Sequence, residues 1–136
     1  MLLSAAISGG LYALSRSWEL SAAAFISGVF LDVDHIPEYL REYGWRFDVG
    51  QFFRASYDRE YKKVILVFHA WEWLPLAVLA AWASGWNPWV AGFVIGWLQH
   101  MLADQLGNTP NPWAYLITWR WRKGFDHQIA FPRRER

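Results

Sequence analysis

The chain has 136 residues, of which 54% are hydrophobic and 18% charged, with eleven tryptophans, no cysteine and a net charge of +1. The size allows one domain, the lack of cysteine excludes disulfides and thiolate metal sites, and the near-neutral balance argues against a nucleic-acid partner. The composition is that of a small polytopic membrane protein, the alternative being a soluble all-helical protein with unusually buried helices.

In chain order, four apolar runs predict four membrane spans, over about 1–16, 18–34, 63–84 and 88–107. The last two approach the ~20 residues that cross a bilayer as a helix, and the first two reach nearly adequate length when extended to these limits. Between and after them, 38–61 and 112–125 interleave aromatic residues with charges and predict interfacial helices. The predicted fold is thus all-α, one membrane domain forming a four-helix bundle with interfacial helices on the cytoplasmic side. Gly92 and Gly96 make a GxxxG, expected to pack helices within the chain rather than to form an oligomer, although an oligomer stays open.

Arg41, Arg46, Arg54, Arg59, Lys62, Lys63, Arg120, Arg122, Lys123, Arg133, Arg134 and Arg136 fall on one side of this topology, and only Arg16 on the other. Basic residues near span ends mark the cytoplasmic side, which predicts a multi-pass protein of the inner membrane with both termini inside. Trp18, Trp82, Trp86 and Trp89 then form the outer aromatic belt, and Trp45, Trp113, Trp119 and Trp121 the inner one.

Between Val64 and Trp119 there is no lysine or arginine, yet the apolar runs carry His69, Glu72, His100 and Asp104, and the run before them ends in Asp32, Val33, Asp34 and His35. Ionisable groups at membrane depth point to a functional site. Protons, arginines folding back or bound metal must supply the missing counter-charge, and metal is the expectation. His69 is predicted ~9 Å and His100 ~10 Å inside the cytoplasmic end of their helices. His100 with Asp104, His69 with Glu72, and Asp32 with His35 have spacings that share a helical face. Asp34 falls elsewhere, and acts either as a ligand swung inward where Pro37 frays the helix or as a carboxylate orienting a histidine. Pro75 is predicted to kink the third span just beyond Glu72.

Asp32, Asp34, Glu72 and Asp104 would together be balanced by two divalent ions, with His35, His69 and His100 as neutral ligands; one ion with supporting acids is the other arrangement. Nitrogen and oxygen donors without sulfur suit zinc, manganese or iron.

Gly28-Val29-Phe30-Leu31-Asp32-Val33-Asp34-His35, a histidine early in the next span, and His100-Met101-Leu102-Ala103-Asp104 together resemble the YdjM-like small membrane-bound metal-dependent hydrolases, themselves more remotely similar to zinc-dependent phospholipase C. The resemblance covers roughly residues 25 to 108. It implies that Asp32, Asp34, His35, His100 and Asp104 are metal ligands, with His69 as a further one. Leu31 stands where that family has proline, and Phe68-His69-Ala70-Trp71-Glu72 replaces its H-R-x-x-H-S segment, so Glu72 or His127 would complete the set.

The function expected is hydrolysis of a phosphate ester or related bond in a lipid or amphipathic substrate. Glu72 or Asp34 would take the proton, and Arg120, Arg122 and Lys123, or the basic residues of 41–63, would attract an anionic head group. The alternative is a non-catalytic membrane protein whose acidic and imidazole groups bind metal or protons for structure, sensing or cation transport.

Overall fold

The computed structural model describes residues 2–58, 60–108 and 111–132. Arg59, Arg133, Arg134 and Arg136 of the charge asymmetry, and Met1 of the first predicted span, lie outside the described residues. Among those described, the protein is all-helical apart from one isolated bridge between Lys63 and Asp126. Eight α-helices follow in order: α1 (Leu2–Ser15), α2 (Trp18–Phe30), α3 (Ile36–Tyr43), α4 (Val49–Asp58), α5 (Leu74–Ala83), α6 (Pro88–Asn108), α7 (Ile117–Arg122) and α8 (His127–Ala130). Short 3-10 helices at Leu31–His35 and Trp71–Trp73 lead into α3 and α5. The chain divides into two compact units, one of Met1–Leu31 and Glu72–Asp104, the other of Asp32–Trp71 and Gln105–Arg136.

In the first unit, α1 ends with Arg16 in the left-handed region at φ 56°, and Ser17 caps α2 by accepting from the Leu20 amide. Glu19 in the first turn of α2 complements the positive end of the helix dipole. Small residues then set the helix packing. A Cβ built on Gly92 would lie 2.2 Å from the Leu20 carbonyl oxygen, and one on Gly96 would lie 2.1 Å from that of Ala24, so only glycine lets α6 come this close to α2. The GxxxG pair is therefore used inside the chain. Ser27 Oγ crosses the seam to the Phe93 carbonyl at 2.9 Å, and the Gly28 carbonyl accepts from Ser4 Oγ of α1 at 3.1 Å.

The buried residues of these helices are largely small or polar, Ser4, Ser8, Ala23, Ala24, Ser27, Gly28, Ala91 and Gly92 among them. The large apolar side chains of Leu2, Leu14, Phe30, Leu79, Trp82 and Phe93 are exposed. This inverts the usual order of a water-soluble core.

Among the described residues, one helical stretch, Trp18–Tyr43, 26 residues through the 3-10 turn, is long and apolar enough to cross a membrane. The third run differs from its expected span over 63–84. Residues 64–70 are not helical, and α5 has ten residues, about 15 Å, half the ~30 Å hydrocarbon thickness. Pro75 explains the late start. It sits in the first turn of α5, where a missing amide costs nothing, so it opens the helix instead of kinking it.

The second unit has a core of Tyr39, Phe52, Ala55 and Tyr61, with Ile36, Leu40 and Tyr43 packed against it. Tyr39 stacks on Tyr43 and meets the edges of Phe47 and Phe52, while its hydroxyl donates to Gln51 at 2.7 Å. The predicted interfacial segment 38–61 is thus the two helices α3 and α4, and 112–125 contains only α7.

Candidate metal centre

Leu31–His35 is a 3-10 turn, in which residues three apart eclipse one another. Asp32 and His35 therefore project in one direction and Asp34 in another. Pro37, which cannot continue an incoming α-helical hydrogen-bond ladder, is accommodated in the first turn of α3. The helix expected to fray here instead tightens to this 3-10 turn and continues into α3.

Opposite it in the same unit lies the irregular segment 64–70, which carries His69, fully buried at 0% exposure. His69 is not on a helix, so the expected shared helical face with Glu72 does not form; Glu72 lies in the 3-10 turn Trp71–Trp73 and belongs to the first unit. Asp34 Oδ2 accepts the amides of Phe68 at 2.7 Å and His69 at 3.3 Å and lies 3.2 Å from His69 Nδ1. With Nδ1–H given to Asp34, Nε2 carries the lone pair, and it faces Asp32 Oδ1 at 3.9 Å. The His35 ring stands 5.4 Å from that of His69, and the Tyr115 ring stacks on His69 at 6.5 Å.

One donor atom each from Asp32, His35 and His69 falls within 4.8 Å of the others, so these three residues can hold a metal ion. The fit rests on donor chemistry. Two neutral imidazoles and a carboxylate form a set suited to zinc and its neighbours, and donors ~2.1 Å from a tetrahedral ion stand about 3.4 Å apart, close to the Asp32–His69 separation. Asp32, whose side chain is 60% exposed, has room to adjust. Asp34 has the place of the carboxylate that fixes a metal-binding histidine. With Oδ2 beside the Phe68 and His69 amides and His69 Nδ1, the geometry fits the orienting role of the two expected for it.

Glu38 was not legible as a site residue, and Arg120 was legible only as a basic residue of the membrane surface. Glu38, only 3% exposed, accepts the Ile65 and Leu66 amides on Oε1, the latter at 3.1 Å, and its Oε2 lies 3.6 Å from His35 Nδ1. Its spacing of three from His35 was the available signal. Arg120, expected at the membrane surface as an attractor of anionic head groups, is instead completely buried, and its Nη2 donates to the Leu66 and His69 carbonyls at 2.9 Å each. This is an arginine folding back toward the acids, through backbone carbonyls. His127 is buried between Tyr61 and Phe131, and among the described residues it is not one of the three converging donors.

In the first unit, His100 and Asp104 face each other across one turn of α6, Nε2 to Oδ2 at 3.6 Å, while His100 Nδ1 lies 2.9 Å from the Gly28 carbonyl. A hydrogen bond from Nδ1–H to that carbonyl leaves the Nε2 lone pair beside Asp104.

The chain matches no protein-family model, no curated protein and no solved structure.

Proposed function

We propose that this protein is a membrane-embedded, metal-dependent hydrolase acting on a phosphate ester or related bond of a lipid or amphipathic substrate. The observation that carries the reading is the three-donor group of Asp32, His35 and His69, with Asp34 behind His69 and Asp32 open to solvent. Three protein donors leave a fourth position for water or substrate, the arrangement of catalytic rather than structural sites. A divalent ion there would act as a Lewis acid and lower the pKa of its water toward neutrality. Asp34 holds His69 in the tautomer that presents Nε2, and Glu38 stands beside His35.

The membrane part of the reading is a bundle of α1, α2, α5 and α6 with both termini cytoplasmic, in which α5 enters the bilayer without crossing it alone. Exposed large apolar side chains around small and polar buried ones support it, as does the placing of Asp32 and His35 within the stretch Trp18–Tyr43. Helices packing in lipid use small residues at their seams and turn apolar bulk outward. Trp82, 66% exposed, with Trp18, Trp86 and Trp89, also exposed, suits the outer interface, and Trp45, 91% exposed, with Trp113 and Trp121, the inner one. The resemblance to the YdjM-like hydrolases points the same way.

The test is turnover. Zinc-, manganese- or iron-loaded protein is assayed on a panel of phospholipids and lipid phosphates beside His69→Ala and His35→Ala. Activity that both substitutions abolish supports the reading, and a panel with no substrate hydrolysed by the loaded wild type contradicts it.

A further inference from the structure

Segment 64–70 has no helix or sheet of its own, yet it must hold His69 steady. Its backbone polar groups show how. The Leu66 N–H goes to the Glu38 carboxylate and the Leu66 C=O to the Arg120 guanidinium, so one residue is gripped from both sides by opposite charges. Leu66 has φ 44°, in the left-handed region that a bulky aliphatic residue adopts only when its surroundings impose it. Arg120 also takes the His69 carbonyl, and Asp34 the Phe68 and His69 amides. The C-terminal segment brackets both ends: the His127 amide donates to the Lys62 carbonyl at 3.1 Å, Val64 to Phe125 at 2.8 Å, and Trp71 to Tyr115 at 3.0 Å.

We propose that Arg120, with Glu38 opposite it, is the positioning residue of the metal centre, fixing the strained turn at Leu66 so that His69 meets Asp32 and His35. The proposal rests on the metal-centre reading above. A guanidinium suits the task because it stays charged when buried and its fork of rigidly placed donors can serve two carbonyls at once. Carbonyl acceptors bound by a charged donor are held more tightly than by a neutral one.

The experiment titrates Co2+ into wild-type protein, Arg120→Gln, Arg120→Lys, Glu38→Gln and the exposed control Arg122→Gln, following the visible ligand-field absorption and, in parallel, amide hydrogen exchange over 64–70. Outer-shell partners of metal ligands are worth ~10–100-fold in metal affinity, so Arg120→Gln is expected to weaken Co2+ by that factor, alter the absorption band and speed exchange at 66–69. Arg120→Lys should restore part of the affinity, and Arg122→Gln should match the wild type. Glu38→Gln keeps an acceptor and the side-chain shape, and a loss of about tenfold there tests the clamp even where Arg120→Gln does not fold. Wild-type affinity, band and exchange in the Arg120→Gln and Glu38→Gln variants would overturn the proposal. If wild-type protein binds no Co2+, the metal-centre reading fails, and exchange alone decides the clamp: faster at 66–69 in Arg120→Gln supports it, unchanged overturns it.

Discussion

Gly96→Ala adds one methyl group at the tightest point of the α2–α6 seam. The new Cβ would lie 2.1 Å from the Ala24 carbonyl oxygen and 2.2 Å from Ser27 Oγ, against the 3.4 Å at which ordinary contact begins. The first obstacle is helix backbone, so the two helices must part by roughly an ångström. Overpacking of this kind costs about 1–3 kcal/mol. Displacing Ser27 also endangers its hydrogen bond to the Phe93 carbonyl, worth about 0.6 kcal/mol in membrane proteins. Alanine's higher helix propensity returns up to ~1 kcal/mol, which leaves a net loss of about 2 kcal/mol. Gly10→Ala in α1, where a Cβ meets nothing within 4 Å, receives only the propensity gain and should be more stable by up to ~1 kcal/mol. Unfolding in detergent followed by circular dichroism should move the midpoint down for Gly96→Ala, by about 4–8 °C, and slightly up for Gly10→Ala. Shifts of the same sign in both variants would refute the close packing of α6 on α2.

Asp34→Asn keeps the side-chain shape but weakens the hold on His69 Nδ1, and metal affinity should fall ~10–100-fold in a chelator competition, with far-UV helicity retained. Burial raises the Tyr61 phenol above its ordinary 10.0, with the nearby Glu38 charge adding to the rise and the Ser56 hydrogen bond opposing it. Because the folded value lies above the unfolded one, this contribution to stability is complete below about pH 10 and is lost as pH rises through the folded value. Tyr61→Phe should therefore flatten the alkaline end of the stability–pH curve, measured by denaturant unfolding at stepped pH. The chain has no cysteine, so Ser84→Cys and Lys123→Cys report topology cleanly: a membrane-impermeant maleimide on intact cells should label the first and not the second, and labelling of Lys123→Cys would contradict cytoplasmic termini.

The all-helical class was legible because long apolar runs broken by Ser17, Pro88 and polar segments leave few other options, and the glycines at 92 and 96 announced close helix packing. The third span was misjudged for a local reason. Val64 to Ala70 is as apolar as a helix interior, but its backbone is claimed by Glu38, Asp34, Arg120 and the C-terminal segment, partners remote in sequence. Periodicity cannot register such competition. Asp32 and His35 were legible as a pair because residues three apart share a face in either helix type. Asp34 had two possible roles, and its partners, the Phe68 and His69 amides, are remote in sequence and could not be read from it. Arg120, between Trp119 and Trp121, reads as an interfacial residue, and only tertiary structure reveals it as buried.

The central claim is that Asp32, His35 and His69 bind a catalytic divalent ion. The most direct measurement is metal content by mass spectrometry of protein purified in detergent without added metal or nickel affinity, beside His69→Ala and His35→Ala. About one equivalent of zinc, manganese or iron is expected in the wild type, lost in both variants. No metal in the wild type, even after incubation with each ion, or metal retained in both variants, would contradict it.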